Sequence, residues 1–234
     1  MSADPVAVLV EQWLSGLAVT GKPNEWESKQ LLRELGIAVP RGMLLAAGSS
    51  PETAGDTSIL GTPGRAAVKA CAGDILHKSD RQGVILDVPE SRLPQAVAEL
   101  RRRFPSTSIL VEEMVPYSGA EMIIGALHDS TFGPAVMAGA GGILTELYKD
   151  VAFRLAPCTS REAHHLLEEL ILYPTLNGYR GLSADVQSLA EIVSKVADLA
   201  VHLIGEGCQL DINPIVWNRE RWIALDAKVV LSRS

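Results

Sequence analysis

A chain of 234 residues with 47% hydrophobic and 21% charged residues can bury the core of one large domain or two small lobes, which excludes a disordered or fibrous protein. A formal net charge of -7 excludes nucleic-acid backbone binding as the main task, because that affinity depends on clustered Lys and Arg. Three widely spaced cysteines, Cys71, Cys158 and Cys208, form no CxxC pair, so neither a disulfide framework nor a zinc knuckle is expected and a reducing cytoplasm suits the chain.

Val6, Leu9, Val10, Trp13, Leu14 and Leu17 recur at helical spacing and predict an amphipathic first helix. Asp4 and Glu11 precede its first basic neighbour, Lys22, the reverse of a secretory signal. A second helix is predicted from about Trp26, with Leu31, Leu32 and Leu35 inward and Gly36 as its stop. A turn and strand follow over Ile37 to Ala46. Next come a strand at Ala66 to Ala70 carrying Lys69, a polar segment from Gly73 to Gly83, and a strand at Val84 to Val88. A helix over Pro89 to Phe104 leads into the apolar strand Ile109 to Val111. The basic run Arg101 to Arg103 then complements the negative end of that helix dipole. This order predicts a small α+β lobe.

Strands are predicted near Glu121 to Ala126 and Ala135 to Ala138, then the glycine loop Gly139-Ala140-Gly141-Gly142. The longest uncharged stretch, Ser130 to Thr145, is interrupted by glycine and proline and is no membrane span. Helices over about Arg161 to Leu172 and Ala184 to Leu203 precede two closing strands, Cys208 to Trp217 and Arg221 to Leu231. If Arg219-Glu220 forms the turn between them, Asn213 faces Asp226 and Asp211 faces Lys228. An amide oxygen beside a carboxylate is hard-oxygen ligation of the kind Mg²⁺ takes. The same letters also describe a polar outer face with Asn213 starting a turn before Pro214.

Several segments, taken together, resemble the ATP-grasp part of ADP-forming acetyl-CoA synthetases. They are Glu27-Ser28-Lys29, Asp74 to Asp80 (with Leu76-His77-Lys78-Ser79), Val111 to Pro116, Glu121 to Gly125, Phe132-Gly133-Pro134, Gly141-Gly142-Ile143, Lys149 to Arg154, Tyr179-Arg180-Gly181, and Asp211-Ile212-Asn213-Pro214 with Leu225-Asp226-Ala227. The resemblance implies an α+β (α/β) chain with the ATP-grasp fold, two lobes clasping ATP or ADP. The expected parts are an N-terminal helix and linker (1–24), a small lobe with a mobile histidine loop (25–110) and a large lobe (111–234). It also implies Mg²⁺ as cofactor and a separate CoA-binding α subunit as partner in a hetero-oligomer, with no nucleic acid and no membrane.

Site roles follow from the same resemblance. His77 matches the phosphate carrier, and a neutral imidazole is nucleophilic near neutral pH. Lys69 matches a lysine aimed at nucleotide phosphates; such a cation is costly to bury alone, so it is expected to meet an anion or sit on an exposed face. Glu112, Glu113, Met114 and Val115 match the segment joining the lobes, where backbone groups hold adenine. Glu121 matches a ribose-binding acid, and Gly141 and Gly142 match a loop whose amides approach phosphate. Arg154, in an apolar run, is expected to meet phosphate or a structural carboxylate. Asn213 and Asp226 are the expected metal ligands, with Asp211 either assisting the metal or orienting His77. The chain departs from its relatives at Gln82, Ile85 and Gln209. Two other readings stay open: an ATP-grasp ligase joining a carboxylate to an amine, which needs no His77, and a non-catalytic nucleotide-binding subunit.

Overall fold

The structure, a computed structural model, describes residues 4–17, 22–50, 64–73, 83–117, 119, 121–142, 149–181, 183–203 and 208–231. The chain divides into two compact units: Met1–Pro23, Glu27–Val39 and Tyr117–Ser234 form the larger, Asn24–Trp26 and Pro40–Pro116 the smaller. These bounds differ from those expected at 24/25 and 110/111. A cut at 110 would fall inside a continuous strand, and the second helix buries Leu31 and Leu32 in the core of the larger unit.

The smaller unit is a four-stranded antiparallel sheet in the order β1-β4-β2-β3, built from β1 (Gly42–Leu45), β2 (Arg65–Cys71), β3 (Val84–Pro89) and β4 (Ser108–Glu113). Helix α1 (Pro5–Gly16) and helix α2 (Glu25–Glu34) precede it in the chain. Helix α3 (Leu93–Arg103) covers one face of the sheet with Leu93, Val97 and Leu100, which meet Val68, Ile109 and Val111 in a single apolar cluster. Its helical spacing of apolar residues, with Arg101 to Arg103 in the last turn, is what the sequence predicts.

The larger unit holds a six-stranded sheet in the order β10-β8-β5-β6-β7, with β9 also on β8. Its strands are β5 (Glu121–Asp129), β6 (Gly133–Ala140), β7 (Val151–Leu155), β8 (Gln209–Trp217), β9 (Trp222–Ala224) and β10 (Ala227–Val230). Helix α4 (Ser160–Glu168) opens on a capping box between Thr159 and Glu162, and α5 (Tyr173–Leu176) is a single short turn. The long helix α6 (Val186–Leu203) packs Leu189, Val193, Val196 and Ala200 against Ile124, Val136 and Ile212 of the sheet. Burying one such leucine or valine contributes about 1.5–3 kcal/mol, so this face is strongly specified.

The predicted helix over Arg161 to Leu172 ends early, at Glu168. The buried Asp150 carboxylate accepts the amides of Ile171 and Leu172, both at 2.9 Å, and so draws that segment out of the helix. Among the described residues no helix is long and apolar enough to cross a membrane.

Candidate functional site

Along β8, Leu210 and Ile212 enter the core, so Asp211 and Asn213 point to the opposite, open face of the sheet. Asp211 pairs with Lys228 and Ile212 with Ala227, and the Asn213 amide donates to the Asp226 carbonyl at 3.3 Å. The register read from the turn is therefore the register of the structure. The turn is closed by Asn218, whose amide donates to the Arg221 carbonyl at 3.2 Å. The Asn218 side-chain oxygen accepts the amides of Glu220 and Arg221 at 3.1 and 2.9 Å. Pro214 has no N–H for the ladder, and opposite it the outer strand splits into β9 and β10, leaving Leu225 and Asp226 between them.

Asp211 keeps solvent contact, yet protein packed around it removes enough water to raise its carboxyl above the usual range. The Asp226 carboxylate adds to this rise and Lys228 opposes it. A raised folded-state pKa favours the fold below the unfolded carboxylate value of about 3.9 and penalises it as pH rises through the folded value. Asp211→Asn is therefore expected to raise the thermal midpoint at about pH 7, with the gain shrinking toward about pH 4. Circular dichroism melts across that range check the sign.

At the start of β5 the predicted acid and the glycine loop form one cluster. The Gly141 amide donates to the Glu121 carbonyl at 2.7 Å, and Tyr117 donates its hydroxyl to the Glu121 carboxylate at 2.6 Å. Gly142 has φ 63°, and a Cβ there would meet the Glu121 carboxylate; one on Gly141 would strike the Met122 backbone at 2.8 Å. Gly141 is thus demanded by close approach to the Met122 backbone and Gly142 by its positive φ. The Tyr117 hydroxyl is pushed up to about 12, by burial first and by Glu121 second.

In the smaller unit Lys69 meets anions, as its burial requires. Its ammonium lies 2.7 Å from Glu25 and 3.0 Å from Glu112, and all three residues are buried. Glu113 is engaged by Arg41, through the backbone amide at 3.0 Å and the guanidinium at 2.9 and 3.1 Å. The Met114 amide donates to the Arg65 carbonyl at 3.1 Å, extending the β2–β4 ladder. Val115 is buried beside it.

Residues 19–231 match the ATP-grasp domain family. The chain belongs to the ATP-grasp family. This ATP-grasp chain is similar to the acetate–CoA ligase (ADP-forming) I subunit beta of Pyrococcus furiosus, 34% identical over 216 residues, which are 88% of this chain and 90% of that protein. A crystal structure from Pyrococcus horikoshii superposes with a TM-score of 0.81 at 30% identity over 98% of each chain. A second structural neighbour is the dinucleotide forming acetyl-coenzyme A synthetase 1 of Ca. Korarchaeum cryptofilum, with a TM-score of 0.78 and 28% identity over 95% of this chain and 100% of that one. That structure holds coenzyme A and Mg-AMPPCP, its phosphohistidine segment pointing towards the nucleotide binding site.

Within the ATP-grasp chain, Asn213 and Asp226 offer an amide and a carboxylate oxygen at facing positions, which is the donor set of a hard dication. Among the described residues no three Asp, Glu, His or Cys side chains gather as a metal site.

Arg154 does not join this face. It shares its side of β7 with the core residue Ala152, pairs across strands with the core residue Val136, and binds Glu169 through its guanidinium. Of the two expected partners for Arg154, the structure shows the carboxylate: strand alternation sends it away from Asp211 to Glu169 and turns Phe153, 48% exposed, to the open face. Arg154→Met is expected to leave ADP affinity within about twofold and to lower stability only slightly, since partly exposed pairs contribute little. ADP titration and urea unfolding measure the two. His77 lies outside the described residues. Lys29, part of the quoted Glu27-Ser28-Lys29 segment, was given no role by the sequence; its ammonium donates to the Leu225 carbonyl, next to Asp226, at 2.7 Å.

Proposed function

We propose that this chain is the nucleotide-binding subunit of an ADP-forming acyl-CoA synthetase. The enzyme would convert a carboxylic acid, CoA and ATP to acyl-CoA, ADP and phosphate, with a separate CoA-binding chain as partner. The observation that carries the reading is the hairpin in which Asn213 faces Asp226, with Asp211 on the same side, in an ATP-grasp chain that spans 90% of a β-subunit relative.

In the acyl-CoA-consuming direction, phosphate displaces CoA on the partner to give an acyl phosphate. A nitrogen of the His77 imidazole attacks its phosphorus and releases the carboxylate. The phosphoryl group then passes to ADP, restoring the imidazole and forming ATP. Histidine suits this relay because its neutral form is nucleophilic at cellular pH. Asp211 is proposed to accept the imidazole N–H and so set which nitrogen attacks. Asn213 and Asp226 would hold Mg²⁺, which when bound neutralises charge on the phosphate oxygens. Lys69, steadied by Glu25 and Glu112, is proposed to meet nucleotide phosphate. Glu121, presented beside Gly141 and Gly142, is proposed to meet ribose, and Glu112 to Val115 to border adenine through backbone groups.

The test combines the chain and its CoA-binding partner with ADP, phosphate, Mg²⁺ and a panel of acyl-CoAs. ATP and free thiol are expected in equal amounts with both chains present and in neither alone. A mixture that binds ADP yet makes no ATP from any acyl-CoA overturns the reading.

A further inference from the structure

Lysine is among the side chains least often fully buried, yet Lys29 is 1% exposed. Its ammonium donates to the Leu225 carbonyl at 2.7 Å. On the same helix, α2, Ser28 accepts the amide of Val229 at 3.1 Å, and beyond it the Ala38 carbonyl accepts the amide of Ala224 at 2.9 Å. One short stretch of chain therefore grips the outer strand immediately before and shortly after Asp226.

That grip falls at the break in the outer strand, which backbone bonds span from the Asn213 amide to the Asp226 carbonyl at 3.3 Å and from the Leu225 amide to the Pro214 carbonyl at 2.9 Å. Pro214 removes a ladder donor, and Leu225 and Asp226 lie in the resulting gap between β9 and β10. A metal ligand must be held within roughly 0.5 Å of its working position, which a broken edge strand does not ensure. A charge-assisted hydrogen bond from an ammonium is roughly twice as strong as one between neutral groups. Burying that ammonium is unfavourable until its partners compensate, so Lys29 is held to the oxygens that meet it.

We infer that Lys29, seconded by Ser28, is the positioning residue of the metal-ligand pair, its ammonium fixing the Leu225 carbonyl and with it the Asp226 carboxylate that faces Asn213. The inference rests on the metal reading of Asn213 and Asp226. It carries a sign that charge alone would reverse: a cation close to a dication repels it, so removing only the charge would tighten metal binding.

The experiment titrates ADP into the full chain in Mg²⁺ and in EDTA, for wild type and for Lys29→Met, Lys29→Arg, Ser28→Ala and Asp226→Asn. Lys29→Met is expected to weaken Mg-ADP binding about 10–100-fold while metal-free ADP binding stays within about twofold, and Lys29→Arg, still a donor, to recover most of the loss. Hydrogen exchange across Trp222 to Val230 in the metal-free Lys29→Met chain is expected to quicken. Mg-ADP affinity equal to or tighter than wild type overturns the inference, as does an equal loss with and without metal, which marks a purely structural role. If Lys29→Met does not fold, Ser28→Ala decides by the same comparison, with an expected Mg-specific loss of about 3–10-fold. Asp226→Asn separates the two claims. If it keeps the full Mg²⁺ effect, the metal reading and this inference both fail; if it loses that effect while Lys29→Met does not, only the inference fails.

Discussion

Phosphoryl label from γ-labelled ATP, supplied with Mg²⁺ and the CoA-binding partner, is expected on the wild-type chain and to be absent from His77→Ala, with acyl-CoA-dependent ATP synthesis lowered by at least about 10³-fold. The size follows from the role. A residue that forms the covalent intermediate cannot be replaced by proximity or by electrostatics, and alanine has no nucleophilic atom. The label should be lost in acid and survive base, as expected of a phosphoramidate, whereas an acyl phosphate would be lost in base as well. Label persisting in His77→Ala moves the carrier elsewhere. A wild-type chain that never labels, although Mg-ADP binds, removes the relay and leaves one of the two other ATP-grasp readings.

Asp226→Asn is expected to weaken Mg-ADP binding by about 100-fold or more and to stabilise the fold at the same time. The first effect follows from loss of the carboxylate in a set whose other protein donor is the neutral Asn213. The second follows from charge: the Asp226 carboxylate is a named cause of the raised Asp211 carboxyl, so neutralising it relieves repulsion. Affinity and stability moving in opposite directions is the signature of a functional carboxylate pair. Calorimetric titration and thermal melts at about pH 7 read both. A variant that loses stability and keeps Mg-ADP affinity contradicts the metal assignment and supports a plain polar face.

Asp211 and Asn213 were legible because their information is local. Alternation along one strand and a short turn settle which residues face each other, and Asn218, beside that turn, closes it with its own side chain. Strand β7 was harder to read. Val151 to Leu155 holds four apolar residues and Arg154, too short a run for periodicity to separate strand from loop, and it becomes a strand because β6 offers an edge. Its face assignment, and therefore the fate of Arg154, waited on that pairing.

Amphipathic periods, the hairpin register and a succession of short family segments together carried the fold class, most elements and the facing pair Asn213–Asp226, since each depends on neighbours a few residues away. Tertiary structure decided the rest. It drew the bounds of the two units, gave Arg154 to Glu169, placed Glu25 beside Lys69 across 44 positions, and brought Lys29 to the Leu225 carbonyl across 196. A buried charge takes whichever oxygen the packed core leaves within reach, and that choice is made by distant chain segments rather than by the residues beside it in sequence.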